Sequence, residues 1–148
     1  MKSCEGNIGR VFVLRLEHGD VVPDCIEQFA REKKVLYGYA IMVGGVDSGQ
    51  IVAGPRNSAA RPLEPIFVPI NDAHDIAAVG VLAPDESGQP VLHVHGTMGR
   101  SANTLSGCLR PEVTTWLIGE AILYEITGVK MVRLKDRVTG FELLEIEP

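Results

Sequence analysis

The chain has 148 residues, 45% of them hydrophobic, and its formal net charge is −5 with a sequence pI near 5.3. This length predicts one globular domain with its own core, and the acidic balance argues against nucleic-acid binding through the net field, because phosphate contacts need lysine and arginine. No apolar run approaches the ~20 residues of a membrane span, no signal peptide is recognisable, and three irregularly spaced cysteines favour free thiols, so we expect a soluble, cytoplasmic protein with no membrane partner.

The first half of the chain predicts strands and one amphipathic helix. We expect an N-terminal tail over residues 1–8 and a single domain over residues 9–148. Asp20 is the predicted N-cap of a helix that continues to about Lys34, because apolar residues repeat there at helical spacing: Val22, Ile26, Phe29 and Ala30. Alternation and β-branched content predict strands over residues 11–16, 37–46 and 49–53.

The second half predicts a loop and five further strands. The proline-bearing segment 54–62 is a predicted surface loop, in which Arg56 and Arg61 either grip an anion or are simply solvated. Further strands are predicted over residues 65–70, 76–83, 91–95, 116–126 and 141–146, separated by turn signals such as Asp85-Glu86-Ser87-Gly88. The sequence therefore predicts an α+β fold, a largely antiparallel β-sheet of about seven strands with one main packed helix, and not a doubly wound nucleotide-binding fold.

His93, His95 and Cys108 form the candidate metal site. Alternate residues of an extended strand share a face, so the imidazoles of His93 and His95 point the same way, with Cα atoms ~6.5–7 Å apart. The turn-forming residues between Arg100 and Asn103 predict a β-hairpin. If its strands pair symmetrically about that centre, Cys108 lies opposite His95 and comes within reach of the same ion.

The ligand types favour zinc. Neutral imidazole and thiolate are donors that Zn²⁺ prefers, and three protein ligands leave a fourth position for water or substrate; another divalent transition metal is the alternative. The pattern has neither the paired cysteines of a structural zinc site nor the H-E-x-x-H of a zinc peptidase. A cupin barrel is discounted, because Gly99 and Arg100 stand where its glutamate is required. The competing interpretation is two half-buried strand histidines hydrogen-bonded to neighbours, with Cys108 packed as a small apolar residue.

A longer signature surrounds these ligands. Leu92-His93-Val94-His95 is followed by a glycine-rich turn and by Ser106-Gly107-Cys108-Leu109. Further positions that carry the pattern are Arg15, His18-Gly19-Asp20, Phe29, Asp75-Ile76, Gly80, Glu120, Arg133, Asp136, Thr139 and Gly140. This order, over almost the whole chain, resembles the plants-and-prokaryotes-conserved (PPC or PCC) domain family, which occurs alone in bacteria and archaea and fused to AT-hooks in plant nuclear proteins.

The resemblance implies a compact antiparallel sheet with a packed helix, a homotrimer, and a zinc-type ion bound by the histidine cluster. In the family the last element is usually Gly-Gly-His-Leu, so Cys108 replaces a metal-ligating histidine with another good zinc ligand. The resemblance also implies DNA as a partner. That expectation comes mainly from the plant members, whose Arg-Gly-Arg-Pro AT-hook enters the minor groove, and this chain contains no such motif.

Two functions follow as hypotheses. The first is a metal-binding, self-associating module whose partner is DNA or another protein, although the charge of the chain does not support DNA. The second is a small zinc enzyme that acts on an unknown small molecule, for which Glu120, His74 or Asp75 are candidate general bases. Because the net charge of the chain is negative, DNA binding would need a local basic patch, and the candidate residues for it are Arg56, Arg61 and Arg100.

Overall fold

The computed structural model describes residues 1–146, in which one helix and eleven strands are formed. The elements are β1 (Asn7–Glu17), β2 (Val21–Val22), α1 (Asp24–Lys33), β3 (Gly38–Ser48), β4 (Gln50–Pro55), β5 (Pro65–Pro69), β6 (His74–Pro84), β7 (Pro90–Arg100), β8 (Asn103–Leu109), β9 (Val113–Thr127), β10 (Met131–Lys135) and β11 (Glu142–Ile146). Over these residues no helix is long and apolar enough to cross a membrane.

Nine of the strands form one sheet, and β10 and β11 form a separate hairpin. The sheet order is β1-β9-β3-β6-β7-β8-β4-β5, with β2 also paired to β9. All pairings between these strands are antiparallel. The predicted α+β fold, with a largely antiparallel sheet and one packed helix, is therefore confirmed, although the chain divides into more strands than the seven or eight expected.

One face of the sheet is covered and carries the core. Alternate residues of a strand point to opposite faces, and in β6 and β7 the even-numbered positions are buried while the odd-numbered ones from 75 to 81 and from 93 to 97 are exposed. Leu82, Met98 and Leu123 are fully buried in one cluster with Ile26 and Ala30 of α1. Each such large apolar side chain contributes about 1.5–3 kcal/mol through its burial.

The helix begins later than the sequence predicts. Asp20 is not its N-cap: the helix starts at Asp24 after Pro23, which makes no side-chain capping bond. The Asp20 carboxylate instead accepts a hydrogen bond from the backbone N–H of Glu17 at 2.8 Å. The two-residue strand β2 pairs with β9 and occupies the chain between that turn and the helix, so tertiary pairing decides where the helix starts.

One strand boundary and one additional strand also differ from the prediction. β1 begins at Asn7 and pairs that residue with Thr127, so it overlaps the tail expected over residues 1–8. β10 is a strand that the sequence analysis did not predict. It has five residues, pairs with β11 and forms one isolated bridge, between Arg133 and Asp85. So short a run carries little periodic signal.

The other face of the sheet, which we call the open face, carries one row of side chains across six neighbouring strands. The strand registers align six residues across β1, β9, β3, β6, β7 and β8: Val13, Ile122, Ile41, Val79, His95 and Cys108. We call these the central row. Its first four members are aliphatic, and Val13 is 80% exposed, Ile41 42% and Val79 57%. Its last two members are metal-capable residues.

Candidate metal centre

The hairpin of β7 and β8 brings the three predicted ligands together. His95 pairs with Cys108 across the ladder, and Arg100 pairs with Asn103 beside the turn. The hairpin prediction and its register are therefore confirmed. His93 lies two residues before His95 on the same exposed side of β7, so all three side chains belong to the open face.

The donor atoms lie close enough to share an ion. The candidate ligand atoms of His93, His95 and Cys108 are all within 4.8 Å of one another. The two Nε2 atoms are 3.1 Å apart, and the imidazole planes are inclined by 79°. Zn–N bonds of ~2.0–2.1 Å in tetrahedral geometry separate two nitrogen ligands by ~3.3 Å. The arrangement therefore fits a zinc-sized ion with little movement of either histidine.

Burial and nearby cations set the protonation of these groups. Burial raises the pKa of the Cys108 thiol, while the positive charges of Arg110 and Arg133 act in the opposite direction. Burial lowers the pKa of His93, and the charges of Arg133, His95 and Arg110 lower it further. Metal binding needs neutral imidazole and thiolate. The lowered pKa of His93 favours the neutral imidazole that binds metal, whereas the raised pKa of Cys108 favours the protonated thiol, which must lose its proton to bind a metal ion.

The backbone beside Cys108 leaves no room for another side chain. A Cβ added at Gly107 would lie 2.4 Å from the carbonyl oxygen of Val52 on β4. This close approach keeps β8 against β4, where Val52 pairs with Cys108. Glycine at position 107 therefore fixes the strand that carries the third ligand.

A cleft of about 740 Å³ lies against the three ligands. Its walls come from the start of α1, from β4, β7 and β8, and from the β10–β11 hairpin. Its charged lining residues are Asp24, Glu27, Arg110, Arg133, Lys135 and Glu142. Sequence reasoning did not assign these residues to the site, apart from marking Arg133 as part of the family pattern. They are distant along the chain, and only the tertiary fold brings them together.

None of the three candidate general bases lies at the cluster. Glu120 lies on β9 and pairs with Val43 of β3. Strand β9 is three strands away from β7, and this separation corresponds to ~14 Å across the sheet. Glu120 is exposed. Asp75 lies four residues along β6 from Val79, the partner of His95, about 13 Å away.

His74 points to the opposite face of the sheet. It opens β6 as a buried residue, and its Nδ1 lies 2.9 Å from the carbonyl oxygen of Asp72. The strand prediction began after His74 and Asp75, whereas the structure includes both in β6. The hypothesis that one of these three residues acts on a metal-bound water is therefore wrong for a single chain.

The three arginines of the candidate basic patch each contact nearby carboxylates or backbone carbonyl oxygens. Arg56 forms an ion pair with Glu64 at 2.8 Å, and Arg100 forms one with Asp72. Arg61 donates hydrogen bonds to two carbonyl oxygens of its own loop, those of Ser58 and Ala60. Two of the three arginines are thus paired with carboxylates, and the third is bonded to backbone carbonyl oxygens.

Comparison with known proteins gives one family and several similar structures. A model of the Plants and Prokaryotes Conserved (PCC) domain matches residues 3–127. This range includes His93, His95 and Cys108, whereas the part of the family pattern from Arg133 to Gly140 lies beyond it. No curated protein matches the chain.

Three similar solved structures each cover nearly the whole chain. A metal-containing protein from Archaeoglobus fulgidus matches with a TM-score of 0.85 and 24% identity, covering 98% of this chain and 99% of that one. A plant- and prokaryote-conserved protein from Pyrococcus horikoshii matches with a TM-score of 0.80 and 19% identity, covering 99% of this chain and 100% of that one. A protein from Bacteroides thetaiotaomicron, provisionally named as DNA-binding, matches with a TM-score of 0.77 and 17% identity, covering 97% of this chain and 99% of that one. At these identities the similarity establishes a common fold.

Proposed function

The chain belongs to the Plants and Prokaryotes Conserved (PCC) domain family, and we propose that it is a metal-binding, self-associating module that holds a zinc-type ion at His93, His95 and Cys108. The observation that carries the proposal is the convergence of two imidazoles and one thiol within 4.8 Å. The similar protein from Archaeoglobus fulgidus is metal-containing, which supports a metal in this fold. The ion would be a Lewis acid with an open coordination position.

Zinc suits this donor set better than a hard cation does. Thiolate and imidazole favour zinc over magnesium or calcium, which take oxygen ligands. All three cysteines of the chain are free, and a reduced thiol at position 108 requires a reducing compartment. We therefore propose that the module works in the cytoplasm.

Metal analysis of protein purified without a chelator or a histidine tag tests this function. We expect about one zinc-type ion per chain, with its position given by an anomalous signal. Cys108→Ala removes the anionic ligand and should weaken binding. Metal content unchanged in that variant, or absent from the parent protein, would contradict the site.

We propose that the apolar part of the open face is the surface of self-association. Val13, Ile41 and Val79 of the central row are exposed, and Val43 and Val81 on the same strands are 54% and 40% exposed. A contiguous apolar surface of this kind on a β-sheet marks an interaction site. The family resemblance specifies a homotrimer, and a closed symmetric assembly would cover the face in every copy.

Light scattering coupled to size exclusion measures the assembly. We expect about three times the chain mass of 16.0 kDa. A uniform species at the mass of one chain would refute self-association, and a dimer would refute the trimer while leaving the interface open to further test.

DNA binding by the isolated chain is not part of the proposed function. The net charge is −5, and the arginines at positions 56 and 100 are already paired with carboxylates. We expect no stable complex with duplex DNA at ~150 mM salt beyond non-specific affinity of roughly 10⁻⁴ M or weaker. Titration of a fluorescent A·T-rich duplex measures this, and sub-micromolar affinity at that salt would overturn the expectation.

A small zinc-dependent enzyme is the second candidate function. The observation that favours it is the cleft of about 740 Å³ beside the ligands, a size typical of small-molecule sites. A general base would have to come from the carboxylates that line it, Asp24, Glu27 or Glu142. Glu27 already accepts a hydrogen bond from the backbone N–H of Leu92 at 2.8 Å. Zinc-dependent turnover that is lost in Glu142→Gln or Asp24→Asn would favour the enzyme over the module.

A further inference from the structure

Two arginines of the cleft have no carboxylate partner. Arg133 is 4% exposed, yet its guanidinium makes a single hydrogen bond, from Nη2 to the carbonyl oxygen of Val81 at 2.7 Å. Its Nε is buried with no partner in the part of the chain that the structure describes. Within residues 1–146, neither Arg133 nor Arg110 forms an ion pair with a carboxylate. The negative charges of Glu142 and Glu27 act on Arg133, but neither carboxylate forms an ion pair with it. The unused donors of this buried guanidinium are therefore available to a further anion.

The position of these arginines shows where that anion would bind. Both line the cleft together with His93, His95 and Cys108, and both lie close enough to His93 and Cys108 to influence their electrostatics. A guanidinium offers a planar pair of donors that matches a carboxylate. A further cation at the metal site increases the demand for an anion at this end of the cleft.

The charge of the cleft limits the ligand to a single negative charge. Its lining holds three cationic side chains and three acidic ones, Asp24, Glu27 and Glu142. A divalent ion and one thiolate change this balance to one net positive charge, which a carboxylate neutralises and a phosphate dianion exceeds. The remaining wall is apolar, with Val52, Pro55, Val91, Phe141 and Leu143, and is suited to a hydrocarbon body.

We propose that the cleft binds a small monocarboxylate with an apolar body, held by the guanidinium groups of Arg110 and Arg133 beside the metal position. The proposal rests on the metal-binding function proposed above, because the ion supplies the positive charge that the ligand balances. It assigns the β10–β11 hairpin to ligand recognition, since this hairpin contributes Arg133 and Phe141 to the wall.

Cobalt-substituted protein titrated with hexanoate, acetate and inorganic phosphate tests the proposal. A thiolate-to-cobalt absorption band reports the metal site and is read before any ligand is added. Its absence would contradict the metal-binding function and not the arginine site, which is then tested by calorimetry with hexanoate on the metal-free protein. We expect hexanoate to bind at least tenfold more tightly than acetate, because of the apolar wall, and phosphate to bind more weakly than hexanoate.

Variants identify the groups that hold the carboxylate. Arg110→Gln and Arg133→Met should each weaken hexanoate binding at least tenfold and leave the cobalt band in place. Arg110 is only partly buried, so its variant is informative even where the Arg133 variant does not fold. Arg100→Gln, outside the cleft, is the matched control and should bind as the parent does. A normal cobalt band with no hexanoate binding, tighter binding of phosphate, or unchanged affinity in Arg110→Gln would overturn the proposal.

Discussion

The two ends of the central row have opposite chemistry on one rigid sheet. At the β1 end, Val13, Ile41 and Val79 expose only hydrocarbon. At the β8 end, His95 and Cys108 present a nitrogen and a sulfur within reach of His93. The sheet is continuous between them, with Val79 directly opposite His95. An apolar surface supports contact with another molecule, whereas the donor cluster supports coordination.

The proposed contact surface and the proposed metal site therefore lie on separate strands. Val13, Ile41 and Val79 carry no ligand atom, whereas the polar part adds to its donors a hydroxyl pair, Thr97 and Ser106, at 2.9 Å. Mutations at the two ends should therefore have separate effects. Because the ends adjoin at Val79 and His95, the same experiments also detect any coupling between them.

The largest effect is expected from removal of a ligand. His95→Ala leaves two protein ligands, and we expect the affinity for zinc to fall at least hundredfold, measured by competition with a chromophoric chelator. The mass in solution should not change. Thr97→Ala, two residues along the same face of β7, is the control and should keep both properties. Loss of the assembly together with the metal would show that the two ends are coupled.

The next effect is expected at the apolar end. Ile41→Glu places an unpaired carboxylate in the middle of the proposed contact surface, and we expect the assembly to dissociate toward the 16.0 kDa chain. The metal content per chain should remain that of the parent. Val138→Glu is the matched control, because Val138 is 62% exposed but lies outside the strands of the sheet. Dissociation in both variants would argue against the open face as the contact surface.

The sequence was sufficient for the hairpin that carries the ligands. Alternation in β7 and turn-forming residues after Arg100 fixed both the face of His93 and His95 and the pairing of His95 with Cys108. These are local properties, because the paired residues lie on consecutive strands joined by one short turn. The class of fold followed for the same reason, since strands joined by short turns pair as antiparallel neighbours.

The start of the helix and the other residues around the cleft depend on contacts between segments that are distant along the chain. β2 has two residues and forms because β9 lies beside it, and this moved the helix start from Asp20 to Asp24. Glu120 was a candidate base through the family resemblance, but the sheet order separates β9 from β7 by β3 and β6. Arg133 joins the cleft only because the β10–β11 hairpin folds against β6. No local pattern encodes such distances.

The pH dependence of metal binding distinguishes the thiolate from the imidazoles. Burial raises the pKa of Cys108, so the metal displaces a proton from this thiol at neutral pH. Burial lowers the pKa of His93, so this ligand needs no deprotonation in the same range. We expect zinc affinity to rise about tenfold per pH unit between roughly pH 7 and 8.5, and Cys108→His to flatten that slope. An equal slope in both proteins would exclude the thiolate as a ligand.

The smallest effect is expected at an ion pair between β1 and β9 on the helix-covered side of the sheet, where Arg10 also donates a hydrogen bond to the carbonyl oxygen of Lys33. Arg10 donates to both carboxylate oxygens of Glu125, at 2.6 Å from Nη2 and 2.7 Å from Nε. The hydrogen bond from Arg10 lowers the pKa of Glu125 to about 2 from its ordinary 4.5. Because the folded-state pKa is the lower one, the stabilisation is complete above pH 4.5 and is lost as the pH falls toward 2. The Arg10 side chain is half exposed and solvent screens the pair, so Arg10→Met should lower Tm by only about one or two degrees at pH 7. Thermal unfolding of chelator-treated parent and variant should converge as the pH approaches 2, whereas a constant difference would assign the effect to packing of Arg10 on Phe12 and not to its charge.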